Sequence, residues 1–439
     1  MTKRTFHNTL YTNDNLYVLS GMNSESADLI YLDPPFNSKR MYSAPVGSKS
    51  AGASFKDMWT WKDVDEYYLE TFADNFPALA KYIACVGTIH SKAMMAYLAY
   101  MSQRIIEMYR ILKNTGSLYL HCDPTASHYL KSLLDGIFGK NHFRNEIVWC
   151  YKDGANSKKY YNKKHDVILF YTKSDRYTFN YESIYRELSD STVKKYKYED
   201  ENGKYRLMGR GIVNSPIKSA RDVNPKWEKT NPELTYRHYI KEGALPLDWF
   251  ELPPINQVSK ERTGYPTQKP LALLHRIIKA SSNEGDVVMD PFCGCATTCV
   301  AAQQLGRKWI GIDVEKQSVG ILVERLTDAQ GQLFKDFVAT DQIPKRSDIE
   351  EVQPSQSIKQ KLHAQQEGKC NACRREFEIW DFEIDHIIPK VKGGGDYYEN
   401  YQLLCASCNR IKGDRPMEYL RLKIETRERM MKTKIFFGE

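Results

Sequence analysis

Residues 285–313 read GDVVMDPFCGCATTCVAAQQLGRKWIGID, and their physical reading is strand, tight turn, helix, strand. Val287, Val288 and Met289 form an apolar run too short for a helix, and it ends in Asp290. Gly294, Cys295 and Ala296 supply a turn of small side chains. Thr297 is then expected to cap a helix that carries Val300, Ala301 and Leu305. A second strand, from Trp309 to Ile312, ends in another acid, Asp313. This is the layout of a nucleotide-type ligand site. Small residues let the backbone approach the ligand, the helix N-terminus faces it, and the second acid takes ribose hydroxyls. Many turns in α/β proteins are built of small residues, so the pattern alone names no ligand.

Working outward, residues 27–32 (ADLIYL) are nearly all apolar, as in a buried parallel strand, and lead into Asp33-Pro34-Pro35-Phe36. Residues 14–19 fit a short helical turn. Apolar residues at helical spacing predict helices over 89–112, 124–138, 271–281 and 317–329, and strands over 117–120 and 145–149. Strands alternating with helices imply an α/β fold with a parallel sheet covered on both faces. His121 and Asp123 fall at a strand end, where packing or a cofactor contact is expected.

The two acid-proline motifs, DPPF at 33–36 and DPFCGCATT at 290–298, resemble those of the amino-methyltransferases that modify adenine N6 or cytosine N4 in DNA. Their order, catalytic motif first, resembles the permuted β group, and Tyr265-Pro266-Thr267-Gln268-Lys269-Pro270 resembles a further cofactor element of that group. The resemblance covers residues 8–326 and implies a Rossmann-like, S-adenosylmethionine-dependent methyltransferase. It assigns catalysis to Asp33, Pro34, Pro35 and Phe36. It assigns the cofactor to Asp290, Pro291, Phe292, Gly294, Thr297, Asp313, Thr267 and Lys269. The chemistry suits these residue types. An exocyclic amino group is a poor nucleophile because its lone pair is delocalised into the ring. Asp33 and the rigidly held Pro34 carbonyl can accept its hydrogens, and Phe36 can stack on a base drawn out of the duplex. Alanine at 296 departs from the family's usual glycine, and alanine disfavours positive φ.

The totals agree with a DNA enzyme but do not demand one. The chain has 439 residues, enough for two or three domains, with 41% hydrophobic and 27% charged residues and a formal charge of +8. It carries no run of 18 apolar residues and no signal-peptide core, so a cytoplasmic protein without membrane contact is expected. Residues 151–210 hold ten Tyr and fourteen Lys plus Arg against nine Asp plus Glu. Interleaved aromatics and bases suit phosphate and base contacts, and a solvated basic surface would look similar. The resemblance places target recognition there, at about 153–263, with Lys158, Lys159, Lys163 and Lys164 the densest basic cluster. Residues 37–54, with Lys39, Arg40 and Lys49, read either as a mobile loop over the active site or, equally, as a disordered surface loop without a role. Residues 339–356 are polar, contain Pro344 and Pro354 and read as a linker between a body at 1–338 and a tail at 357–439.

Ten cysteines include two CxxC pairs, Cys370 with Cys373 and Cys405 with Cys408, separated by 31 residues. Two such hooks predict a tetrahedral four-thiolate zinc site, structural because no ligand position stays open. The enclosed EIDHIIP at 383–389 and the trailing CNRIKGD at 408–414 resemble the HNH endonucleases and their ββα-metal fold. The resemblance makes His386 the general base, Asn400 its orienting asparagine, and Asp385 and Asn409 the ligands of Mg²⁺ or Mn²⁺. The whole chain then reads as a site-specific DNA methyltransferase, adenine N6 favoured, fused to an HNH nuclease in restriction–modification. Double-stranded DNA is the partner, and a homodimer is left open. Alternatives are a regulatory methyltransferase whose zinc tail only binds DNA, a cytosine-N4 enzyme, and an RNA methyltransferase, which an HNH module argues against.

Overall fold

The computed structural model describes residues 8–36, 40–45, 47–48, 50, 54–57, 59–60, 76–151, 157–212, 215–216, 220–256, 258–330, 337–415 without 393, 417, 419–421 and 423–424. Lys39 and Lys49 lie outside these residues. Helices of six residues or more are numbered.

The body is built on strands β1 (Thr9–Tyr11), β2 (Ala27–Leu32), β5 (Leu112–Cys122), β6 (Phe143–Cys150), β7 (His165–Thr172), β11 (Trp249–Glu251), β12 (Val287–Asp290), β13 (Lys308–Ile312) and β14 (Val338–Thr340). They form one sheet in the order β11-β6-β7-β5-β2-β12-β13-β1-β14. All neighbours are parallel except β7, which runs against both β5 and β6. The sheet is therefore mixed, and the expectation of a purely parallel one is corrected. The reversed strand VILFYT was hidden in the basic, tyrosine-rich stretch.

Side chains alternate across each strand, so one sheet feeds two cores. Ile30, Leu32, Leu118, Leu120 and Met289 pack with α2 (Pro77–Ile89), α3 (Lys92–Ile111) and α4 (Ser127–Phe138). Leu29, Tyr31, Tyr119, Val288 and Trp309 pack on the other face with α5 (Leu271–Ser281) and α6 (Thr297–Gln304). A short α1 (Asn15–Ser20) is capped by Asp14, whose side chain accepts from the Leu16 N–H. Residues 37–54 are not simply loop: β3 (Arg40–Ser43) pairs antiparallel with β4 (Ser54–Asp57). The chain order steps outward in opposite directions from β2 and β12, and that switch point is where open α/β sheets leave a crevice.

Residues Asn180–Leu247 make a separate compact unit. Its antiparallel sheet joins β8 (Tyr198–Asp200), β9 (Gly203–Gly209) and β10 (Thr235–Tyr239). On one face, Arg237 lies over the Tyr205 ring at 4.8 Å and pairs with Asp200 at 2.7 Å and Glu228 at 2.6 Å.

After α7 (Gln317–Gln330), the chain reaches the C-terminal module of α8 (Gln356–Gln365), β15 (Phe382–His386), β16 (Tyr401–Cys405) and α9 (Ala406–Lys412). Strands β15 and β16 form an antiparallel hairpin, and Ile358, Leu362, Phe382, Leu403, Leu404, Met417 and Leu420 make its core. The stretch expected to be a linker is fastened along its length. Asn13 donates to the Asp341 carbonyl at 2.8 Å, Ser347 N–H to Asn23 at 2.7 Å and Ser24 N–H to Asp348 at 2.9 Å. Gly21 lies so close beneath that a Cβ there would stand 2.0 Å from the Pro344 carbonyl oxygen. Farther on, Val352 N–H donates to the Asp396 carbonyl, and the Tyr401 hydroxyl donates to the Val352 carbonyl at 2.7 Å.

Candidate active sites

The C-terminal ends of β2 and β12 stand side by side, with Ile30 paired to Met289. This register carries Asp33 and Asp290 to the mouth of one cavity of about 810 Å³. Of the residues expected to act there, Asp33, Pro34, Pro35, Phe36, Asp290, Pro291, Phe292, Gly294, Thr297, Asp313, Thr267 and Lys269 all line it.

Their contacts refine the expected roles. Asp33 Oδ2 accepts from Lys269 Nζ at 2.6 Å, while Asp33 Oδ1 is buried with no hydrogen-bond partner. Lys269, expected at the cofactor, is thus engaged with the carboxylate expected to be catalytic, and its ammonium also lies 5.3 Å from the Phe36 ring centroid. Phe36 stacks on His121, whose Nδ1 meets the Tyr31 hydroxyl at 2.9 Å and whose Nε2 meets Asp166 at 3.1 Å. Burial first, and then the Lys269 charge, push the His121 imidazole below its ordinary range, so the ring is a neutral prop. Asp123 faces elsewhere, accepting from the Thr125 and Ala126 N–H groups at the start of α4.

On the β12 side, Thr297 does not cap α6. Ala296 occupies that position at φ +59°, and Thr297 is the first helical residue, with no side-chain cap present. The Thr297 hydroxyl instead accepts from Arg325 at 2.8 Å, and the same guanidinium holds the Cys295 carbonyl at 2.6 Å. Arg325 is a buried support that sequence reading missed, since nothing in a helix 28 residues downstream marks it as a turn clamp. Gly294 is required at its position: it has φ +48°, and a Cβ would stand 2.9 Å from the Tyr265 ring. Its N–H donates to Asp313 at 2.8 Å.

Two carboxylates here lack a cation. Burial pushes Asp290 up to about 7, against hydrogen bonds from the Thr298 hydroxyl and the Phe292 N–H. Burial likewise pushes Asp313 up to about 6, against the Glu315 and Gly294 N–H groups. A ligand bringing positive charge and hydroxyl donors would relieve both. S-adenosylmethionine carries a sulfonium, an ammonium and a ribose, so the donor set fits it.

In the C-terminal module the Sγ atoms of Cys370, Cys373, Cys405 and Cys408 lie within 4.8 Å of one another, a set compatible with zinc. Cys405 N–H donates to Cys370 Sγ at 3.3 Å. The hydrogen bond with Cys408 and N–H groups of the two hooks hold the Cys370 thiol below its ordinary range. Among the described residues no other group of three or more His, Cys, Asp or Glu side chains converges in this way.

The expected nuclease residues are arranged differently from expectation. Asp385 pairs with Lys412 Nζ at 3.0 Å and accepts from Gln402 at 2.7 Å, so both its oxygens are engaged. Asn409 donates to Glu383. Asn409 and Lys412 lie one turn apart on α9 and meet Glu383 and Asp385, which alternate onto one face of β15. A divalent ion on Asp385 and Asn409 does not fit this arrangement, because the Lys412 ammonium holds the carboxylate. The Asn400 side chain makes no hydrogen bond to His386. Its amide clamps the Ile388 N–H at 2.8 Å and the carbonyls of Ile388 and Gly395 at 3.1 and 3.0 Å. The histidine is oriented by Asp396, 2.7 Å from Nε2, and by the edge of the Tyr401 ring. Burial works to raise Asp396, yet Lys390, His386 and Tyr401 hold it well below the usual carboxylate range.

Residues 27–324 match the model of a DNA methylase family, and residues 370–415 match that of the HNH endonucleases. Type II methyltransferase M.EcaI of Enterobacter cloacae is 31% identical over 274 residues, covering 56% of this chain and 60% of the relative. Type II methyltransferase M.HpaI of Haemophilus parainfluenzae is 31% identical over 251 residues, covering 57% and 64%. DNA adenine methyltransferase YhdJ of Escherichia coli (strain K12) is 27% identical over 353 residues, covering 79% and 93%. The chain thus spans less than two thirds of the length of the first two. No helix among the described residues is long and apolar enough to cross a membrane.

Proposed function

The chain belongs to the DNA methylase family, and from that premise we propose that it methylates an exocyclic amino group of duplex DNA, adenine N6 in preference to cytosine N4. The observation that carries this is one cavity lined by both the Asp33–Phe36 loop and the Asp290–Gly294 turn, where one Asp33 oxygen is buried without a hydrogen-bond partner. S-adenosylmethionine, when bound, supplies an electrophilic methyl group on sulfur. Asp313 and Asp290 would hold the cofactor, through its hydroxyls and its positive charge. Asp33 Oδ1 and the Pro34 carbonyl accept the two amino hydrogens and favour a pyramidal nitrogen with its lone pair aimed at the methyl. Asp33 would also take the proton that the amino nitrogen sheds on gaining the methyl group. Phe36 stacks on the extruded base, braced from behind by His121. Asp as first residue of the motif, and a relative named as an adenine methyltransferase, support adenine.

DNA is received at the basic stretch beside this edge of the sheet. Lys158, Lys159 and Lys163 are exposed, as are Tyr160 at 70% and Tyr161 at 99%. Both residue types suit phosphates and unstacked bases. A role for the Asn180–Leu247 unit in target recognition rests on the chain position shared with the family.

We further propose that the C-terminal module cleaves DNA in restriction–modification, held together by zinc on its four cysteines. With Nε2–H donated to Asp396, the other ring nitrogen of His386 is left to accept a proton from water. The closed Asp385–Lys412 pair favours a second reading, a module that binds DNA without cutting it. Both are tested on one preparation. Duplex DNA incubated with S-adenosylmethionine and sequenced with detection of modified bases reports N6-methyladenine at one motif. Unmethylated DNA of that motif with Mg²⁺ or Mn²⁺ is cut if the nuclease reading holds and stays whole if the module only binds.

A further inference from the structure

We propose that Lys269 is a positioning residue of methyl transfer, fixing Asp33 so that one carboxylate oxygen alone faces the target amino group. This rests on the methyl-transfer reading and departs from the cofactor contact that its motif implies.

A free carboxylate rotates about its Cβ–Cγ bond and presents two equivalent oxygens. Here the rotation is stopped. Lys269 Nζ holds Oδ2 at 2.6 Å, and the ammonium is tethered on its other side by the Thr267 carbonyl at 3.5 Å. Thr267 takes a left-handed backbone at φ +62°, a conformation that costs a β-branched residue energy and persists only where its surroundings impose it. Lys269 is 8% exposed, so the pair works where water screens it little. Oδ1 is left buried and unpartnered on a residue that lines the cavity. A buried acceptor without a donor is costly, and the natural donor in a DNA methyltransferase is the amino group that reacts. The lysine also balances charge. A half-buried Asp33 would otherwise add a third carboxylate without a cation to those of Asp290 and Asp313, and the Phe36 ring face steadies the lysine.

A cofactor ligand at this position would behave differently. Lys269 has only N–H donors to offer, so a cofactor role would have to be played at the cofactor's carboxylate or hydroxyls, whereas its shortest contact is already with Asp33 at 2.6 Å.

The test uses the full-length protein and a duplex carrying its target. Single-turnover methylation is followed for Lys269→Met, Lys269→Arg, Asp33→Asn and Asp33→Asn with Lys269→Met, and S-adenosylmethionine affinity is measured for each by calorimetry. Lys269→Met is expected to slow the saturated rate about a hundredfold, with cofactor Kd moved less than about threefold. Lys269→Arg, which keeps the charge and donors, recovers most of that loss. In the Asp33→Asn background Lys269→Met adds almost nothing, because a residue acting through Asp33 has nothing left to position. A Kd that rises while the saturated rate survives overturns the proposal in favour of a cofactor ligand. Losses that multiply in the double variant overturn it too. If Lys269→Met fails to fold, Lys269→Arg and the double variant still decide. A wild-type protein that transfers no methyl group to any duplex refutes the underlying reading instead, and wild-type cofactor binding separates the two failures.

Discussion

Each half of this protein carries a motif aspartate paired with a buried lysine, and the two pairs differ in one oxygen. In the body, Lys269 holds one oxygen of Asp33 and leaves the other without a partner. In the tail, Lys412 and Gln402 together engage both oxygens of Asp385. The first arrangement is poised to receive a hydrogen-bond donor, whereas the second is closed until something moves. An acid motif in sequence therefore does not say whether its carboxylate is available. The neighbouring cation decides, by how many oxygens it leaves.

The largest effect removes one side of this comparison altogether. Cys405→Ser is expected to cost the module its zinc, a loss on the order of 10 kcal/mol for small zinc-dependent folds. Zinc content, tryptic sensitivity of the tail and DNA cleavage should all change, while methylation continues because the sheet of the body is complete without the module. Loss of methylation as well would show that the halves fold as one.

Next, Asp33→Ala should lower methylation about a thousandfold or more while calorimetry finds cofactor binding retained. His386→Ala should remove cleavage and leave methylation as it was. Each variant silencing the opposite activity would break the separation between an open and a closed site.

Lys412→Met probes the closed pair directly. It leaves Asp385 buried and uncompensated, at a cost of about 3 kcal/mol to the module. The unfolding midpoint of the tail should fall, and added Mg²⁺ should restore part of it in the variant but not in the wild type. Equal responses to Mg²⁺ would mean that Lys412 does not keep the ion out.

A smaller effect follows pH. Asp290 and Asp313 have folded values raised to about 7 and about 6, so their contribution to apoprotein stability is full below about pH 4 and lost as pH rises through those values. Cofactor binding has the opposite sign, because the ionised carboxylates attract its cations. Between pH 5 and 8, cofactor affinity should rise about tenfold while the apoprotein midpoint falls. A flat calorimetric profile would show that these acids do not meet the cofactor. Smallest is Ala296→Gly, which relieves the left-handed alanine at φ +59° and should stabilise the body by about 1 kcal/mol in denaturant titrations.

The places where sequence reading succeeded share a cause. ADLIYL and VVMD are apolar runs ending in an acid, and a short run bounded by proline or turn residues has few alternatives to a buried strand. The cysteine hooks were legible for a similar reason, since their spacing is local. What escaped was set by tertiary contact. The reversed β7 was masked by the lysines and tyrosines around it. Thr297 has a good capping side chain, but Arg325 claims its hydroxyl, so the backbone turned one residue earlier, at Ala296. Asp396, Lys412 and Gln402 carry no signature at the distances where they meet His386 and Asp385. Lys269 was assigned by its motif to the cofactor, although a lysine on that loop reaches across the crevice to β2 only once the sheet has brought the two together.

The fastened segment between body and tail has a geometrical meaning of its own. A nuclease on a slack tether would sample many positions along a bound duplex and leave ends of mixed length. Here Asn13, Asn23 and Ser24 secure the near part of the segment, and Asp396 and Tyr401 secure the far part. The hairpin that carries His386 is held at a set reach from the crevice that carries Asp33. If both proposed activities hold, the spacing between a modified base and a cut becomes a dimension of the protein, measured out by residues 339–356, to which no catalytic role is assigned.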